Sequence, residues 1–209
     1  LIDVGESTPW YASFWDFVRL YLSERFGENY CLSSEASMDL YLGKNYLSPQ
    51  IVVMAKIGGT ITLKLPHNTS LFIYQEYNNF PKEISKVQGL NAVPFEYSLC
   101  KMPISFYNKQ PQEAEIALSM LKSSEKILHY LLKEGMVQAA GRIVGALRHL
   151  HHNKLADSIL TTMKAAGFTI IEKNPFKKKP LLTNTKTFQS PYSARIKTLW
   201  EKARGDIIK

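Results

Sequence analysis

Three of the chain's five histidines, His149, His151 and His152, fall within four residues of one another in the stretch GRIVGALRHLHHNKLADSILTTMKAAGF, residues 141–168. Two arginines, Arg142 and Arg148, precede them. Imidazoles three apart on a helix have a spacing that metal sites use, but a zinc site needs further ligands. The nearest carboxylate in sequence is Asp157, and Asn153 and Lys154 read as the turn between two helices. The spacing therefore predicts turn or solvent-facing histidines rather than a metal site, with contact to phosphate as the remaining alternative.

Two helices joined by a short polar turn also permit a helix-turn-helix. A recognition helix presents Arg, Asn, Gln or Lys near its start, and here only Asn153 and Lys154 do so. Arg142, Arg148, Lys154 and Lys164 are accordingly the candidate DNA- or phosphate-binding residues, through charge rather than base reading. Gly141 and Gly145 lie four apart in the same stretch. Each costs a helix about 1 kcal/mol relative to alanine, and close approach of another helix is the expected return.

Other chemistry is not signalled. The chain has no Gly-rich phosphate loop before a Lys, no G-x-S-x-G elbow and no H-E-x-x-H. No catalytic, cofactor-binding or metal-ligating residue is assigned. Glu24, Glu28, Glu35 and Asp39 read as solvated charges, and Cys31 and Cys100 as buried, reduced thiols of a cytoplasmic protein.

The elements that must position these residues follow from periodicity. YASFWDFVRLYLSERFG has Phe14, Val18, Tyr21 and Leu22 at helical spacing, with Phe17 and Phe26 beside them and a stop at Gly27. CLSSEASMDLYLG reads as a shorter helix capped by Ser33 or Ser34 and ended by Gly43. The period then shortens: QIVVMA, TITLKL and SLFIYQ are β-rich runs, with Gly58-Gly59 joining the first two as a tight turn. GLNAVPF is one more extended segment. From Pro111 the pattern is helical, through SEKILHYLLKEG, VQAAGRIVGALRHL and KLADSILTTMKAAG, after which FTIIEKNPF is extended. KKKPLLTNTKTFQS has no period, and SPYSARIKTLWEKARGDII is a basic amphipathic helix.

This predicts an α+β chain. A small antiparallel sheet with flanking helices occupies 1–108, a helical domain 109–172, a linker 173–189 and a final helix 190–209. The 209 residues suffice to bury a core, and the 45% apolar and 21% charged content is that of an ordinary globular chain. No run is long and apolar enough to predict a membrane span. Charge is uneven: residues 1–110 carry nine Lys and Arg against ten Asp and Glu, and residues 111–209 carry seventeen against eight. The basic half points to nucleic acid or an acidic protein surface as partner.

Two stretches carry a family resemblance. Ser33–Gly43, Pro49 and Ile51–Ala55 resemble the helix, proline turn and strand of AbiE-type antitoxins and transcriptional regulators. With AAGRIVGALRHLHHNKLADSILTTMKAAGFTIIEKNPF and SPYSARIKTLWEKAR, the chain more closely resembles the antitoxin-like region upstream of the catalytic domain in certain bacterial Fic-family proteins. The resemblance covers almost the whole chain, and its motifs are structural. The Fic signature, a His-Pro-Phe followed by a Gly-Asn-Gly-Arg, is absent, so the residues of AMP transfer have no position here. The winged-helix segment that opens such antitoxins would precede Leu1, which is not read as the natural start.

The resemblance implies a non-catalytic regulatory module, with an attached or partner Fic domain, DNA or a second copy of the chain as partners. The alternatives it leaves open are a stand-alone AbiE-type regulator and a fragment of a protein adenylyltransferase.

Overall fold

A computed structural model describes residues 4–44 and 46–176. The basic helix expected at 190–209, and the linker beyond residue 176, lie outside the described residues. The class is α+β, as the periodicities predict. The helix α1 (Val4–Phe26) is followed by β1 (Tyr30–Leu32), α2 (Ser34–Tyr41), β2 (Gln50–Ala55), β3 (Ile61–Lys64), β4 (Ser70–Gln75), β5 (Ser85–Val87) and β6 (Leu90–Ala92). Six helices then run to residue 165: α3 (Phe95–Lys101), α4 (Ile104–Lys109), α5 (Pro111–Ser119), α6 (Glu125–Lys133), α7 (Val137–His149) and α8 (Asn153–Ala165).

The main sheet is mixed rather than antiparallel throughout. Its order is β1-β2-β4-β3, and β2 runs parallel to β4. The Gly58-Gly59 turn therefore does not join paired strands. It carries the chain past the position that β4 later fills. The tight hairpin is the next one, between β3 and β4. There His67 and Asn68 both take positive φ, the pair that a type I′ turn needs, and Thr69 N–H donates to the Pro66 carbonyl at 3.2 Å. Pairing Ile51 with Leu71 and Val53 with Ile73 puts four fully or nearly fully buried aliphatic side chains on one face. That burial outweighs the local turn signal at the glycines.

α1 lies along this face. Phe14, Val18, Leu22 and Phe26 enter the core, each a turn from the next. The ends of α1 are pinned. Trp10 Nε1 donates to Thr69 Oγ1 at 3.3 Å near its start, and Phe26 packs against Gly58 at its end. Arg19 rests on Gly89, on the β5–β6 side of the helix. α2 is capped by Ser33, whose hydroxyl accepts from Ala36 N–H at 3.2 Å. Buried polar groups tie β6 to this layer: Asn91 Nδ2 donates to the Tyr30 carbonyl at 3.1 Å, and Val93 N–H to Ser37 Oγ at 3.0 Å.

The helices enclose a second apolar cluster. It includes Leu99, Phe106, Leu118, Ile127, Leu131, Ile143, Leu147, Ile159 and Met163, with Met38 of α2 joining from the first region. The sequence reading begins the helices at Pro111, but α3 and α4 already belong to this cluster. Pro94 and Pro103 occupy their N-cap positions, and neither offers the side-chain cap by which a helix start is recognised. No described helix is long and apolar enough to cross a membrane.

Candidate functional site

α7 is the most deeply set helix, and its glycines explain how. Gly141 and Gly145 face the extended segment 168–176, not another helix as expected. A Cβ at Gly141 would collide with the carbonyl of Ile171, and one at Gly145 with the carbonyl of Lys173 and, at 2.8 Å, with Asn174 N. Lys173 N–H donates to the Gly141 carbonyl at 3.0 Å. Segment 168–176 thus forms a strap across α7. Phe168 packs by Gly135 at one end. Phe176 packs against Tyr107 and His149 at the other, with ring centroids 5.7 and 5.1 Å apart.

This arrangement separates the sequence-predicted residues. His149 is exposed and packs against Phe176 with its ring tilted, His151 occupies the turn with φ 62°, and half-buried His152 sits at the N-cap of α8. Each imidazole has a different environment. Arg142 points inward: its Nη2 donates to the Met102 carbonyl at 3.2 Å, and its Nε is buried. Arg148 is spanned by two carboxylates, Asp157 at 2.7 Å and Glu172 at 3.0 Å, which raise its pKa, Glu172 foremost. It binds α7 to α8 and to the strap. Lys154 and Lys164 are exposed on α8. The four candidates therefore do not form one basic face.

The charge lies further along. Residues 111–176 carry eight Lys and Arg against six Asp and Glu, whereas residues 177–209 carry nine against two. Most of the basic excess of the second half falls beyond residue 176, outside the described residues.

Sequence reasoning missed a cleft of about 730 Å³ between the second face of the sheet and helices α3 and α6. Met54, Tyr74, Phe80 and Val93 supply its apolar lining, and Tyr97 and Tyr130 stand opposite with rings 5.0 Å apart. Residues of the loop 76–84 also line it. Glu83 on this loop accepts the Tyr130 hydroxyl at 2.6 Å and lies 3.4 Å from Lys133 Nζ and 3.5 Å from His129 Nε2. Glu134 pairs with Lys101 at 2.9 Å.

The Tyr130 hydrogen bond holds the Glu83 carboxyl below its ordinary range against the opposing effect of burial, with Lys133 helping. Burial would raise Glu134, but hydrogen bonds from Tyr97 and Lys101 outweigh it and leave the carboxyl low. Burial, and then Glu83, push the Tyr130 phenol up. These glutamates are held ionised and the phenol protonated, so this cluster carries fixed charges rather than an acid–base pair poised near neutrality. Tyr97 and Lys101 are four apart on α3, and Tyr130 and Lys133 three apart on α6, a spacing visible in sequence. Glu83 arrives from a loop with no periodicity, so nothing local announced the cluster.

No protein-family model, no curated protein and no solved structure matches the chain.

Proposed function

We propose that this chain is a regulatory module of a Fic-family protein, with no catalytic group of its own. Its role is to restrain the Fic domain. Any DNA contact it makes is through phosphates, supplied mainly by residues 177–209. The observation that carries this reading is the strap. Segment 168–176 is seated in the glycine trough of α7 as far as Phe176, which packs against Tyr107. The basic stretch begins with the next residue. Supporting it, Arg142 and Arg148 are engaged within the protein and leave α7 with no free cation for DNA. The resemblance to antitoxin-like regions upstream of Fic domains supplies the family part of the proposal, and buried thiols fit a cytoplasmic setting.

The test is anisotropy of a labelled DNA duplex, and of a scrambled duplex, titrated with the full chain at several salt concentrations. Phosphate contact releases counterions, giving a log–log salt slope of about 0.9 per phosphate neutralised. Changing Lys177, Lys178 and Lys179 to Glu is expected to weaken binding on both duplexes alike and flatten the slope. Changing Lys154 and Lys164 to Glu is expected to do less. Strong preference for one sequence would instead indicate base reading. No binding at low salt would remove DNA from the proposal and leave protein as the partner. A Fic signature encoded downstream of Lys209 supports the family assignment, and a stop codon there favours the stand-alone regulator.

A further inference from the structure

β3 is an edge strand: its only neighbour among the described strands is β4. The pairing parity identifies its unpaired backbone groups. Leu65 N–H donates to the Thr69 carbonyl, and on the other side of β4 the Glu76 N–H reaches the Ala55 carbonyl of β2. Alternation along an antiparallel ladder then makes Ile61–Ile73 and Leu63–Leu71 the hydrogen-bonded pairs. The N–H and C=O groups of Thr62 and Lys64 therefore face outward.

The apolar layer is unfinished at this edge. Leu71 and Ile73 of β4 are fully buried, but their partners Leu63 and Ile61, and Leu65 beyond them, are only half-buried. Beside them lies the flank of α1 turned away from Gly89. It carries Trp10, Phe17 and Tyr21, all half-buried. Trp10 and Phe17 are 5.6 Å apart, and Phe17 stacks on Tyr21 at 6.0 Å. α1 runs alongside β3 because its start is pinned at Thr69 and its end at Gly58. An unpaired backbone edge thus borders an aromatic strip, the arrangement that accepts an added strand.

We propose that this edge binds an extended peptide segment of a partner protein, with alternate residues apolar and acidic residues at its ends. The four residues of β3 span about 13 Å at ~3.3 Å each, enough for a short added strand. Apolar side chains at alternate positions would cover Trp10, Phe17, Tyr21 and Leu63. The charge selects the ends. Exposed Lys64 stands at the Thr69 end, and exposed Arg25, lying over Tyr21 and Phe26, at the Gly58 end. Neither has a carboxylate partner among the described ion pairs. Exposed Glu24 offsets one of them, which leaves the strip net positive. A second copy fits less well. An antiparallel pair of β3 strands would direct Lys64 of one copy toward the Arg25 end of the other, bringing like charges together. This inference is independent of the Fic reading.

The experiment is selection of phage-displayed random linear peptides on the full chain, followed by anisotropy of the selected peptide in synthetic form. Selected sequences should alternate apolar and other residues and carry Asp or Glu at their ends. Thr62→Pro removes one outward N–H and spares the β4 ladder. It should weaken binding roughly tenfold, the scale of one lost hydrogen bond and its register. Thr62→Val, which keeps the N–H, should bind as the parent does, and circular dichroism melting checks that each variant folds. Arg25→Glu with Lys64→Glu should lose the preference for acidic ends. Failure to select any peptide, or equal binding by Thr62→Pro, would overturn the proposal. So would dimerisation of the chain alone, seen by light scattering and abolished by Thr62→Pro, because the edge would then belong to a second copy.

Discussion

The two largest apolar clusters among the described residues are finished in opposite ways. In the helical region the chain supplies its own last layer: the strap 168–176 crosses α7, and eight of that helix's thirteen residues are buried. In the sheet region no such layer covers β3 among the described residues. There α1 buries one narrow strip, and its aromatic flank and the β3 side chains stay half exposed. The difference comes from residue size at the point of crossing. Two glycines let backbone approach backbone on α7. On α1 the corresponding flank carries Trp10, Phe17 and Tyr21, which fill the space through which a strap would pass.

The largest expected effect arises at that crossing. Gly145→Ala puts a methyl group into the backbone at Lys173, where no side chain can swing aside. Overpacking against fixed backbone costs up to about 3 kcal/mol, or else the strap is expelled. Gly27→Ala is the control: its φ is 56° and nothing lies near the added carbon, so only backbone strain of about 1 kcal/mol applies. Urea denaturation measures both, and proteolysis within 168–176 reports strap release. Equal losses for the two variants would mean that the glycine trough does not close the helical core.

Sequence reasoning reached the helical elements better than their closure. Gly27 and Gly43, read as helix stops, both take positive φ, and Ser33 caps α2. These are local signals, each carried by one or two residues. The parallel pairing of β2 with β4 joins residues about twenty apart, and no nearby residue specifies it. The same limit applies to the candidate site. Arg142 and Arg148 were visible as cations, but Met102, Asp157 and Glu172, which engage them, lie 9 to 40 residues away. Isolated charge in a sequence reads as surface until its partners are known.

A smaller effect separates the regions by pH. Glu83 ties the loop after the sheet to α6 of the helical region, through Tyr130. Its folded pKa lies below the ordinary 4.5. A lowered carboxylate pKa contributes stability that is present above the unfolded value and is lost as pH falls through the folded one. Tyr130→Phe removes the first cause of that lowering. The variant should melt below the parent at neutral pH, and the gap should narrow on acidification below about 4.5. Thermal melts across that range are the measurement. A gap that stays constant with pH would assign the Tyr130 contribution to packing alone.

The smallest expected difference tests whether the two regions open separately. Each holds one buried thiol, Cys31 against Met54, Phe80 and Val93, and Cys100 in the helical cluster. Burial pushes both thiols up to about 12, so at pH 8 the native protein offers only about one thiolate in ten thousand at either site. Reaction with a thiol reagent must therefore wait for opening. Although the regions are closed differently, Met38 of α2 and Leu99 of α3 share one cluster, which joins the sheet layer to the helices. The two cysteines should accordingly be labelled at nearly the same rate in the native protein, and Gly145→Ala should raise both rates by the same factor. Mass spectrometry of peptides from a labelling time course gives the ratio. If Cys100 accelerates alone, the helical region opens by itself, and the strap rather than the shared cluster sets its stability.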